Sequence, residues 1–251
     1  MARLVIPWRR VGRRTGAGGA GGAGPVLTPP DMRRLLRDNG LSIALFLMFV
    51  VSLGAQTVAG HRHANEERRD HGRPGQTWAE YVLSAESLEA TAENWESEFL
   101  QSFTFVLMTA YLFQRGSAES KDPDKAQEPE DREPDPKRTG APAAVKRGGI
   151  VLWLYEHSLS LTFFTLFVGS LLLHAAGGAG EYNDDQAEHG SPERVTLLGY
   201  MVTSRFWFES LQNWQSEFFA IFAVVVLSIF LREKGSPESK PVDAAHGETG
   251  R

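Results

Sequence analysis

The stretch "LSIALFLMFVVSLGAQTVA", Leu41 to Ala59, constrains this chain more than any other feature, because it runs 19 residues without a charge. As a helix rising about 1.5 Å per residue it spans roughly the 30 Å of a bilayer's hydrocarbon. "LSLTFFTLFVGSLLLHAAGG" over Leu159–Gly178 is its equal. Two shorter runs, Phe99–Phe113 and Phe218–Leu231, suit either a buried helix or a crossing that begins near the tryptophans before them. A composition of 251 residues at 42% hydrophobic hides this segregation into apolar and polar blocks. The expectation is an all-α integral membrane protein with four transmembrane helices, near 41–59, 97–113, 159–176 and 215–231.

Internal similarity refines this architecture. "DNGLS" at Asp38 aligns with "EHSLS" at Glu156, an offset that also pairs Gly60 with Gly178, Asn65 with Asn183, His71 with His189 and Pro74 with Pro192. One inserted residue later, Tyr81 pairs with Tyr200, "NWESEF" at Asn94 with "NWQSEF" at Asn213, and "GSAESK" at Gly116 with "GSPESK" at Gly235. Two tandem helical hairpins follow, repeat 1 over 32–121 and repeat 2 over 148–240. Each unit crosses twice, so the copies enter from the same side and are parallel repeats, not inverted ones.

Lysine and arginine set the orientation. Twenty of the 26 lie before the first helix, between helices two and three, or after the last, against six in the two other segments. By the positive-inside rule both termini are cytoplasmic. The proline- and charge-rich segment 122–147 has too little apolar surface to fold and reads as a disordered linker, as do the Arg/Gly-rich extension 1–31 and the tail 241–251. Met32 is a candidate for the natural start in place of Met1.

Outside the membrane, "TWAEYVLSAESLEATAENWESEF" places Tyr81, Ala85, Leu88, Ala92, Trp95 and Phe99 on one helical face. This predicts an amphipathic outer helix over about 77–97, and its counterpart over about 195–214. Trp95 and Trp214 read as interfacial anchors. Asn94, Ser97, Glu98 and Gln101 form a polar stripe entering the second crossing, which Asn213, Ser216 and Glu217 repeat. Gln56 and His174 stand at a similar depth on the preceding helices, so the expected clusters are Gln56 with Glu98 and His174 with Glu217. Such groups serve either as an interhelical clasp or as a ligand or proton site. Small residues Gly54, Ala55, Gly169 and Ser170 invite close helix packing.

Glu67 with His71, and Asp185 with His189, share the four-residue spacing of metal ligands. Two ligands per copy are too few, and helix capping before a turn accounts for the same letters, so no metal and no cofactor are expected. The chain has no cysteine, which removes disulfides and thiolate chemistry. No nucleophile elbow, phosphate loop or dinucleotide fingerprint is present, and the basic residues lack a nucleic-acid reading element.

"LRDNGLS", "ENWESEF", "FQRGSAESK", "WLYEHSLSL", "SRFWFESLQNWQSEF" and "REKGSPESK" resemble a bacterial membrane-protein family known as a domain of unknown function. The resemblance covers about Met32 to Lys240. It implies a four-crossing protein of the bacterial cytoplasmic membrane, of actinobacterial type, and supplies no catalytic residues. The reading is a non-enzymatic accessory or scaffold subunit whose partners are the lipid bilayer and other membrane proteins or its own copies. The alternative is a small transporter or channel using Glu98, Glu217 and His174, and a lipid-acting enzyme comes third.

Overall fold

A computed structural model describes residues 32–125, 128–190 and 194–250. The extension 1–31, and with it Met1, lies outside the described residues, as does Pro192. The protein is all-helical, and two of its helices, over 35–70 and 158–187, are long and apolar enough to cross a membrane. The chain divides into a unit ending at Ser52 and a second from Leu53 onward.

Helix α1, Met32–Asp70, begins in the first unit. Asn39 leaves helical geometry at φ −129°, ψ 16°, and its side-chain amide donates to the Leu35 carbonyl. From Leu45 to Val51 every side chain is large, apolar and exposed.

Among the described residues the second unit holds the rest of α1 and seven further α-helices. These are α2 (Trp78–Val82), α3 (Ala85–Tyr111), α4 (Ala143–Arg147), α5 (Gly149–Glu156), α6 (Ser158–Glu188), α7 (Leu197–Tyr200) and α8 (Ser204–Leu227). Helix α3 is the packing centre, with α6 along most of its length and α8 beside it. Gln101 joins the last pair by donating to the Glu217 carbonyl at 3.3 Å.

Local chemistry explains the boundaries. Thr77 and Ser84 cap α2 and α3 by accepting from the Glu80 and Ser87 amides, and Thr196 and Thr203 cap α7 and α8 in the same way. Glu80 returns the bond to the Thr77 amide and closes a capping box. Asn65 clasps the Gln76 backbone through both its side-chain atoms, and Asn183 does the same to Val195. His157 separates α5 from α6 at the position that aligns with Asn39.

The outer helices expected over about 77–97 and 195–214 are each broken, at Leu83–Ser84 and at Met201–Thr203, and the piece after each break runs on without interruption into the apolar segment that follows, as α3 of 27 residues and α8 of 24. The face grouped in the sequence divides: Leu88, Trp95, Trp207 and Leu211 point outward, while Ala92 turns inward with Ser87, Glu89, Glu96 and Ser97, and Phe206 and Ser210 are buried on α8. The polar side turns inward because it meets polar partners there.

Segments whose composition predicts disorder carry turns and contacts among the described residues. Pro129–Asp131 forms one turn of 3-10 helix, and Lys121 pairs with Asp131 at 2.8 Å. In the tail, the Lys240 ammonium donates to the Ala245, His246 and Glu248 carbonyls, and the Gly250 amide donates to the Ser117 carbonyl.

Candidate functional site

Glycines in α6 set the site's geometry. A β-carbon on Gly177 would fall 2.6 Å from the Glu89 amide nitrogen, and one on Gly178 would fall 2.3 Å from the Tyr200 ring. A side chain on Gly180 would meet the Ala85 β-carbon at 2.7 Å. The backbones of α3 and α6 therefore touch where most helix pairs are held apart by side chains. The expected close-packing positions Gly54 and Gly169 instead have nothing within 4 Å, though Ser170 is buried. Gly60 repeats the Gly178 contact in its own helix, against the Tyr81 ring.

One turn before Gly178 lies His174, fully buried, its ring stacked on Phe206 at 4.9 Å between centroids. Its Nδ1 is 2.7 Å from Glu96 Oε2, and its Nε2 is 3.4 Å from Glu209 Oε2. Glu96 is equally buried and takes a second bond from Trp214 Nε1 at 2.8 Å. The Tyr200 hydroxyl donates to Glu209 at 2.6 Å and lies 3.1 Å from Glu89. Arg205 bonds Glu209 Oε1 at 2.8 Å and Glu181 at 2.7 Å. Asn213 completes the edge by donating to Glu93.

Five carboxylates from α3, α6 and α8 thus gather around one arginine and one histidine. Glu209 takes hydrogen bonds from His174, Tyr200 and Arg205, and it and Glu89 sit on either side of the one Tyr200 hydroxyl. Glu89, His174 and Glu209 each offer one ligand atom, all within 4.8 Å of one another.

Of the residues singled out in the sequence, only His174, Asn213 and Trp214 belong to this network. His174 engages Glu96 and Glu209, not Glu217. Glu217 is half-buried, and Glu98 and Gln56 are exposed. Asn94 bonds back to the Ala90 carbonyl of its own helix. Trp95 stands 37% exposed, whereas Trp214 has its indole N–H turned inward to Glu96. His71 and His189 each donate Nδ1–H to the carbonyl four residues earlier, in Glu67 and Asp185, which is a helix-ending role.

Glu89, Glu93, Glu96, Glu181, Arg205 and Glu209 escaped the sequence reading, and Tyr200 entered it only as the repeat partner of Tyr81. A signal was present: Glu89, Glu93 and Glu96 recur at i, i+4 and i+7, one stripe on a helix between apolar segments. It reads as a solvated face unless the apolar side is assigned to lipid.

A family model for a domain of unknown function, DUF6766, matches residues 32–251, and the chain belongs to that family. No curated protein and no solved structure matches it.

Proposed function

We propose that this is a non-enzymatic, multi-pass protein of the bacterial cytoplasmic membrane that handles cations at the His174 network. The observation that carries the reading is the excess of clustered carboxylates, Glu89 and Glu96 buried and Glu93, Glu181 and Glu209 half-buried, over Arg205 and His174. Charge of one sign in a low-dielectric interior is offset by a proton or by a compensating cation, and an ionisable group at membrane depth that faces the bundle interior marks a pathway or binding site.

Four crossings in two tandem, parallel hairpins with cytoplasmic termini accommodate this role. Support comes from the paired features of the two halves: the Asn65 and Asn183 clasps, the matched caps, the break at Asn39 and His157, and the tyrosine against a glycine. At about 1.5 Å per residue, α3 and α8 reach about 40 Å and 36 Å, enough to span a bilayer with some tilt. Their outward apolar faces suit lipid, and the network then lies toward the outer leaflet. Glu98 and Glu217 drop out as pathway residues in this version of the transport reading.

Reconstitution into liposomes tests it. Wild-type protein is expected to carry potassium, protons or manganese down an imposed gradient, read with entrapped fluorescent reporters, and Glu209→Gln to slow that flux at least tenfold. Equal flux in protein-free and protein-loaded vesicles for all three cations returns the chain to the accessory-subunit reading.

A further inference from the structure

The network has a chemically distinct centre. Nδ1 of His174 is engaged by Glu96, itself fixed by Trp214, so the imidazole ring has one orientation and presents Nε2 to the opposite side. There it meets Glu209 Oε2 and, beyond it, Glu89, with the Tyr200 hydroxyl bonded to both carboxylates. Arg205 takes the outer Oε1 of Glu209 and leaves Oε2 facing inward.

We propose that Glu89, His174 and Glu209 are the protein ligands of a divalent transition-metal ion, with the Tyr200 hydroxyl as a further oxygen donor. The inference rests on the cation-handling reading and names the class of cation. Three observations carry it independently of charge. A histidine whose far nitrogen is held by a carboxylate is the arrangement that orients and strengthens imidazole ligands. One nitrogen and three oxygens form a donor set suited to zinc, manganese or ferrous iron. Ligand atoms on a common ion at the usual bond lengths lie no more than about 4.4 Å apart, and the three here are within 4.8 Å of one another, a gap that a small movement of either glutamate closes.

The two halves of the chain differ at this point. In the aligned first half the His174 position holds Gln56, which is exposed, although Tyr81 and Gly60 keep the same contact as Tyr200 and Gly178. The frame is common to both halves, and the imidazole donor belongs to the second alone.

The test uses full-length protein in mild detergent, stripped with a chelator and titrated with Zn²⁺ and, separately, Mn²⁺ by calorimetry. One ion per chain is expected. His174→Ala and Glu209→Gln are expected to weaken binding at least a hundredfold, and Glu96→Gln by 10- to 100-fold through the loosened imidazole. The double change His71→Ala with His189→Ala should leave affinity unchanged. Should the network variants fail to give monodisperse protein, zinc-edge X-ray absorption on the loaded wild type decides: a shell of one imidazole with oxygens supports the site, and two or more imidazoles overturn it. Absence of stoichiometric binding, or binding insensitive to all three network variants, also overturns it. Cation flux without bound metal removes the site and leaves the transport reading. Metal bound at one per chain without flux keeps the site and removes the transport reading.

Discussion

Glu96 shows how much one side chain is asked to hold. It accepts from an imidazole and an indole on two other helices with no exposure to solvent. Glu96→Ala removes one partner of a buried charged pair and leaves His174 Nδ1 without its acceptor, so a loss of about 3–5 kcal/mol is expected. Trp214→Phe deletes one hydrogen bond to a carboxylate, for about 1.5–3 kcal/mol. Thermal unfolding in a fixed detergent checks both, and equal losses would contradict the assigned roles. His174 was legible in the sequence because a histidine inside an apolar run stands out. Its partners were not, since Glu96 and Glu209 sit among other polar residues, and choosing between Glu96 and Glu98 requires knowing which way the helix is turned.

Among elements, α3 and α8 follow a pattern opposite to that of a helix in water. Their existence was readable from apolar periodicity, but the grouped face splits in the structure, Ala92 buried and Leu88 and Trp95 exposed. Periodicity identifies a face but not the surroundings it meets. The close contact of α3 with α6 gives a second test. Gly177→Ala would press a methyl group into the α3 backbone, with an expected cost of about 1–3 kcal/mol. Gly54→Ala meets open space and should be neutral or stabilising by up to about 1 kcal/mol through helix propensity. Loss of a cap in Ser84→Ala should cost about 1 kcal/mol. The capping box adds a pH signature. The Thr77 amide, then its hydroxyl, hold the Glu80 carboxyl below its ordinary 4.5. A depressed folded value means that Glu80's contribution is complete above the ordinary value and fades as pH falls through the lowered one. The protection of the 78–82 amides, taken relative to their intrinsic exchange rate at each pH, should therefore fall on acidification from neutral pH, and Glu80→Gln should abolish that dependence.

For the molecule as a whole, the order in which the chain is made bears on its assembly. Helix α3 carries Glu89, Glu93 and Glu96, yet the nearest of their partners on α6 lies 78 residues further along. During synthesis those three carboxylates emerge before anything that can receive them. Arg205, Glu209, Asn213 and Trp214 arrive later still. In the proposed multi-pass topology the first hairpin waits at the bilayer surface, or lies shallow within it, until α6 and α8 emerge to draw the acidic stripe inward. Release of the second half from the ribosome, not insertion of the first, would then commit the protein to its final depth.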